Sequence, residues 1–169
     1  MFHRILVGVD GSMLAREALA RAVELAEAGH GRLGLLSSAP SAPALASAGP
    51  VALPVSRHRL EQDLLRWAER NVEEAARLVP EHIPITKLVT RGRPAAALLR
   101  EARTGCWDLV VVGQSHRRRR LLSSVGERLN RRSGVPVLVV HEDRDEAHPG
   151  HAGLLPQPRG RRRAQPKIA

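Results

Sequence analysis

The chain has 169 residues, a length that fits one domain more readily than two. A hydrophobic content of 43% suffices for a packed core and excludes wholesale disorder, while an aromatic content of 2% argues against the stacking platforms with which proteins bind single-stranded nucleic acids. The formal net charge of +10 is carried mainly by arginine and favours anionic partners such as nucleotides, nucleic acid or acidic lipid, although a GC-rich genome would impose a similar composition.

The N-terminal part of the chain predicts a strand, a helix and a second strand. Residues 5–9 are a short apolar run that ends in the turn sequence Asp-Gly-Ser. Ser12 is a candidate N-cap for a helix whose apolar residues recur at helical spacing up to Gly29, the predicted stop. Residues 32–37 then form a second strand. This order is typical of a parallel sheet built by a right-handed crossover.

The middle of the chain opens with a change in character. Residues 38–56 hold several prolines among Ala, Ser and Gly, which predicts a loop without regular structure. Helical spacing resumes from Leu60 and ends near Pro80. Residues 85–90 predict a third strand.

The next elements complete the sheet. Pro94 suits the first turn of a short helix, and residues 108–113 are almost wholly apolar, which predicts a central fourth strand. The single cysteine, Cys106, lies just before this strand, excludes an internal disulfide and favours inert packing over a nucleophilic role. Ser124 with Glu127 is a capping-box pattern at the start of a further helix.

The C-terminal part supplies the last strand and a tail. Residues 135–140 predict a fifth strand, and residues 142–169 are rich in Pro, Gly, His and Arg, which predicts a disordered basic tail. Alternating strands and helices indicate an α/β fold with one doubly wound parallel sheet and helices on both faces. Such sheets bind ligands beyond the carboxyl ends of the strands, where the winding direction reverses.

The sequence also limits where the protein works. No apolar stretch is long enough to span a membrane, and the first residues lack the layout of a signal peptide. We therefore expect a cytoplasmic protein with no membrane partner. No nucleophile–base set and no pattern of metal ligands stands out, so we expect a protein that is not an enzyme and holds no metal, with slow nucleotide hydrolysis as the one reaction left open.

Several segments, in order and spacing, resemble the universal stress protein (UspA) domain. They are Ile-Leu-Val-Gly-Val-Asp-Gly-Ser at residues 5–12, Thr-Arg-Gly-Arg-Pro at residues 90–94, Asp-Leu-Val-Val-Val-Gly at residues 108–113, and residues 123–129 and 135–140. The resemblance covers residues 1–141 as one domain. It implies a five-stranded sheet of order 3-2-1-4-5, an adenine-nucleotide α-hydrolase-like fold, a homodimer formed through the last strand at residues 135–140, and a role in the stress response.

The family's nucleotide-binding branch implies where a ligand would lie. Its aspartate at the end of strand one is matched by Asp10, and the first glycine of its phosphate motif by Gly113. The second glycine is replaced by His116, and the interval from there to the final pair is shorter than in the family. That pair is Ser123-Ser124 in place of Gly-Ser. Because a shorter loop offers fewer donors to a triphosphate, a monophosphate or a cyclic dinucleotide is favoured over ATP.

The candidate nucleotide site gathers the residues at these strand ends and in the following loop. Ser38 stands at the family's adenine-side position after strand two, where an apolar residue is usual. The full set is Gly8, Asp10, Ser38, Val112, Gly113, His116, Ser123, Ser124 and Val125. Asp10 fits either a contact with ribose or a metal-bridged phosphate, or capping of the turn into the first helix. Ser124 fits either phosphate binding or capping, and the two can coexist because helix N-termini bind anions.

The arginine run Arg117, Arg118, Arg119 and Arg120 leaves three interpretations open: a solvated loop, a guanidinium clamp for phosphate, or a nucleic-acid patch. Three functional hypotheses follow. The first is a stress-response binding protein for AMP, ATP or a cyclic dinucleotide. The second is a ligand-free dimeric interaction module of the same family. The resemblance implies a ligand-free branch of the family that also lacks the glycine motif. The third is weak nucleic-acid binding through the arginine clusters.

Overall fold

The computed structural model describes residues 1–40, 57–114 and 125–141. Five strands and four helices alternate within these ranges. In chain order they are β1 (Arg4–Gly8), α1 (Met13–Gly29), β2 (Arg32–Ala39), α2 (Arg57–Ala76), β3 (Ile85–Arg91), α3 (Pro94–Thr104), β4 (Leu109–Gln114), α4 (Val125–Arg132) and β5 (Val137–His141). None of these helices combines the length and the apolar character that crossing a membrane requires.

The five strands form a single parallel sheet of order β3-β2-β1-β4-β5, which confirms the predicted architecture. β1 lies at the centre, where Ile5 pairs with Leu33 of β2 on one side and with Leu109 of β4 on the other. A central strand is covered on both faces, and Ile5, Leu6 and Val7 are accordingly all fully buried.

Helices cover both faces of the sheet, as predicted, because side chains along each strand alternate between two cores. Ile5 and Val7 belong to a core that is completed by residues of α1 and α2. Leu6 belongs to the opposite core, which is completed by residues of α3 and α4 and includes Leu98 and Leu129. Burial of these aliphatic side chains is the main stabilising contribution to the fold.

One predicted boundary is wrong: Ser38 lies inside β2 and not at the start of the Pro-rich loop. Ser38 and Ala39 pair in register with Thr90 and Arg91 of β3. The backbone N–H of Gly92 donates to the Ala39 carbonyl at 2.8 Å, which extends the pairing by one more bond. The paired neighbour strand therefore outweighs the weak strand propensity of serine. Residues 41–56 and the tail, residues 142–169, lie outside the described ranges.

Both ends of α1 have identifiable causes. Ser12 is the N-cap, as predicted, and its Oγ accepts a hydrogen bond from the Ala15 N–H at 3.2 Å. At the other end His30 takes the left-handed conformation with φ 49°, while Gly29 remains the last helical residue. A Cβ at Gly29 would clash with the Phe2 carbonyl, so this glycine permits close packing of the helix end and does not itself make the turn.

The predicted inert packing of Cys106 is also wrong. Cys106 is exposed and has φ 56°, whereas the adjacent Trp107 is buried. The Trp107 ring packs against Gly34, where any side chain would collide with it, and its Nε1 donates to Glu101 Oε1 at 3.1 Å. Since the large indole occupies this core position, the turn directs Cys106 outward. Pro94 stands in the first turn of α3, as predicted, and α2 ends at Ala76, earlier than the predicted end near Pro80.

Candidate functional site

A cleft of about 400 Å³ opens at the carboxyl ends of the central strands. Five predicted site residues line it together: Gly8, Asp10, Ser38, Val112 and Gly113. The turn after β1 and the end of β4 therefore converge on one cleft, while the turn that follows β4 lies outside the described residues. The volume of the cleft falls in the range that is usual for small-molecule sites, roughly 300–1,000 Å³.

The cleft results from the winding of the chain. After β1 the chain enters α1, which packs on one face of the sheet. After β4 the chain reaches α4, which contributes Leu129 to the opposite face. Because β1 and β4 are neighbours and their following helices lie on different faces, a crevice remains at the carboxyl ends of these two strands.

Asp10 is the acidic residue among the described residues that line the cleft, and it caps the turn into α1. Its Oδ1 accepts hydrogen bonds from the Ser12 N–H at 3.0 Å and from the Ser12 Oγ at 2.6 Å. Gly11 between them has φ 77°, a conformation that glycine adopts without strain. Asp10 is exposed, and no donor within the described ranges bonds to its Oδ2. The capping role is thus present, and among the described residues it engages one of the two carboxylate oxygens.

The two glycines of the predicted site have packing roles of different stringency. A Cβ at Gly113 would clash with the backbone carbonyl of Leu14, since the end of β4 passes directly beside the first turn of α1. A Cβ at Gly8 would lie 3.2 Å from Leu98 Cδ1 and 3.3 Å from Val112 Cγ1, which are ends of movable side chains. The glycine at position 113 is therefore required by the neighbouring backbone, whereas a Cβ at position 8 needs only a small shift of two side chains.

The serines at the end of β2 are used in structural hydrogen bonds. Ser38 Oγ donates to the Gly92 carbonyl at 2.8 Å, which ties the end of β2 to the turn after β3. Ser37 is buried, and Asn71 Nδ2 of α2 lies 3.5 Å from its Oγ. Ser38 lines the cleft, but its hydroxyl group donates its proton to the Gly92 carbonyl and not to the cleft.

Several lining residues were missed by the sequence analysis. They are mostly apolar and come from four different elements: Met13, Leu36, Trp67, Pro94 and Leu98. Trp67 fits the helical stripe of α2 and gives no signal of its own in the sequence. Leu36 and Leu98 were assigned to a strand and a helix, but nothing local indicates that they face a cleft.

The rest of the predicted site cannot be placed beside these residues. His116, Ser123, Ser124 and the arginine run at residues 117–120 lie outside the described ranges, and Val125 is described only as the first residue of α4. Among the residues that the structure describes, no group of three or more His, Cys, Asp or Glu side chains is arranged to hold a metal ion.

Comparisons of the sequence and of the structure with known proteins find members of one family. The model of the Universal stress protein family matches residues 1–141. The Universal stress protein YxiE of Bacillus subtilis (strain 168) is 29% identical over 150 residues, which cover 83% of this chain and 99% of that protein. A solved member of the family from Burkholderia pseudomallei aligns with a TM-score of 0.63 and 28% identity, covering 81% of this chain and 94% of its own. A universal stress protein solved in complex with cAMP aligns with a TM-score of 0.54 and 26% identity, covering 84% of this chain and 99% of its own.

Proposed function

Because the chain belongs to the universal stress protein family, we propose that it is a stress-response binding protein whose cleft takes an adenine nucleotide. The observation that carries this proposal is that Asp10, which follows β1, and Gly113, near the end of β4, line one cleft. The family member solved with cAMP supports an adenine nucleotide as the ligand class.

The chemistry of the lining residues fits such a ligand. Leu36, Leu98 and Val112 offer apolar surface on which a base would lose contact with water. Asp10 accepts hydrogen bonds only, so ribose hydroxyl groups are suitable partners for its Oδ2. The anionic phosphates would then point away from this carboxylate, towards the segment after β4. In the sequence that segment contains Arg117–Arg120 and the serines at positions 123 and 124, which are suitable donors to phosphate.

We propose that the protein acts by binding and not by turnover. Among the described residues that line the cleft, Asp10 is the only ionisable one. Its Oδ1 is engaged by Ser12, and these lining residues include no second ionisable side chain that could activate a nucleophile or exchange a proton with it.

Two measurements test the proposal. Mass spectrometry of small molecules released from the purified protein should identify an adenine nucleotide at close to one per chain. Isothermal titration calorimetry with AMP should give saturable binding to ligand-free protein. Absence of a released nucleotide, together with absence of heat on titration with AMP, cAMP and ATP, contradicts the proposal.

A second candidate is a ligand-free interaction module that acts through a dimer surface. β5 lies at an edge of the sheet, and Leu138 on this strand is 37% exposed. An exposed edge strand with apolar side chains readily pairs with another chain. The replacement of the family's second motif glycine by His116 favours this candidate as well. A stoichiometric released nucleotide would eliminate it.

A further inference from the structure

The two tryptophans of the chain have different surroundings. Trp107 is a core residue, buried beside Gly34 and hydrogen-bonded to Glu101. Trp67 is only half-buried and lines the cleft. In the described part of the chain Trp67 belongs to neither of the two cores. Filling the core therefore does not account for Trp67.

The position of Trp67 follows from how α2 packs on the sheet. Ala68 and Val72 are buried against the sheet, and Asn71 lies beside Ser37 near the carboxyl end of β2. Trp67 precedes Asn71 by four residues, which is about 6 Å along the helix axis and roughly one turn. Since α2 leads back from the carboxyl edge of the sheet, this turn lies about level with the end of β2, where Trp67 lines the cleft.

Trp67 therefore gives the cleft an aromatic side, and several other lining residues add apolar surface to it. Met13 at the start of α1 is 69% exposed and lines the same cleft, so it adds exposed apolar surface to that of Trp67. The floor is aliphatic, with Leu36, Leu98 and Val112. Exposed indole and thioether groups are unfavourable in water, and a flat aromatic ligand would remove both from solvent. Asp10 is the one acidic group among the described lining residues.

We propose that Trp67 is the stacking wall of the cleft and selects ligands that carry a planar aromatic base over sugar phosphates that lack one. This inference rests on the proposed function, since it assigns the base end of the nucleotide. Trp67 is a specificity residue that contacts the base, while Asp10 contacts the sugar. Stacking on an indole uses the π-face that every base possesses, so a loss of Trp67 affects binding of the whole class of nucleotides.

The first test uses calorimetry. The Trp67→Leu variant keeps an apolar side chain but removes the π-face, and AMP should bind it about tenfold or more weakly than the wild type. The conservative Trp67→Phe variant should recover most of that loss. Ribose 5-phosphate should bind the wild type and Trp67→Leu with equal, weak affinity, because it has no base to stack.

A second test uses fluorescence. In the Trp107→Phe variant Trp67 is the remaining tryptophan, and AMP should change its emission with the same Kd that calorimetry gives. In Trp67→Phe, where Trp107 remains, AMP should leave the emission unchanged. Thermal unfolding followed by circular dichroism shows whether the core variant Trp107→Phe is folded. The calorimetric comparison of the wild type with the Trp67 variants does not use Trp107→Phe and is independent of this result.

The outcomes separate this inference from the proposed function. Equal affinities of the wild type and Trp67→Leu for AMP overturn the assignment of Trp67 and leave nucleotide binding intact. Failure of the wild type to bind AMP, cAMP or ATP overturns both. Tighter binding of ribose 5-phosphate than of AMP also overturns the assignment of Trp67.

Discussion

The carboxylate of Asp10 accepts a hydrogen bond from Ser12 Oγ at 2.6 Å, and the same Ser12 Oγ accepts from the Ala15 N–H at 3.2 Å. Asp10, which lies in the turn between β1 and α1, is thereby connected to the first turn of α1. Such a chain of hydrogen bonds fixes the direction of the carboxylate before any ligand arrives, which reduces the cost of ordering it on binding.

The coupled roles of Asp10 can be separated by two variants. Asp10→Asn keeps an oxygen that accepts from Ser12 but removes the charge, so its free energy of unfolding should stay close to that of the wild type. Asp10→Ala loses both hydrogen bonds and should lower the free energy of unfolding by about 1 kcal/mol. Both variants should bind AMP more weakly. Urea unfolding and calorimetry measure the two effects, and wild-type AMP affinity in Asp10→Asn would contradict the assigned ribose contact.

The two glycines of the cleft should respond differently to alanine. In Gly113→Ala the new Cβ meets the Leu14 carbonyl, which is backbone and cannot turn aside. We expect a loss of about 1–3 kcal/mol of stability. In the matched variant Gly8→Ala the new Cβ meets only Leu98 and Val112 side chains, and the loss should be smaller. Chemical denaturation compares the two, and equal losses would argue against the close approach of β4 and α1.

The number of phosphates should affect affinity. The sequence between His116 and Ser123 is shorter than in the nucleotide-binding motif that the resemblance implies, and we expect a shorter loop to offer fewer backbone donors to a triphosphate. AMP or a cyclic diadenylate should therefore bind more tightly than ATP. Parallel titrations with the three ligands at one salt concentration measure this order, and tightest binding of ATP would reverse the prediction.

The two edges of the sheet offer a matched test of dimer formation. Leu138 on β5 is 37% exposed and Val89 on β3, at the opposite edge, is 38% exposed. If the dimer forms through β5, Leu138→Glu places a charge in the interface and should yield monomers, whereas Val89→Glu should not. Size-exclusion chromatography with light scattering gives the mass of each variant. Monomers from Val89→Glu alone would assign the interface to the other edge.

Much of the fold was predictable because its signals are local. The apolar runs of β1 and β4, the N-cap at Ser12 and the proline at the start of α3 each act within a few residues, and all are present in the structure. The extension of β2 through Ser38 was not predictable, since it depends on pairing with β3, which lies far along the chain. The strand propensity of a residue carries no information about a pairing partner that is distant in the sequence.

The alternation of strands and helices in the sequence by itself determined a doubly wound parallel sheet with a crevice at the carboxyl ends of its strands, because only a few right-handed parallel arrangements are allowed. The resemblance to the family implied the strand order that brings the ends of β1 and β4 together. Tertiary structure alone decided what surrounds that crevice. Helical periodicity cannot distinguish Trp67 from a core residue, and only the docking of α2 on β2 places it at the cleft. Likewise, only the packing of β4 beside α1 gives Gly113 a steric reason to be glycine. Both depend on contacts between segments that are distant in the chain, which local patterns do not encode.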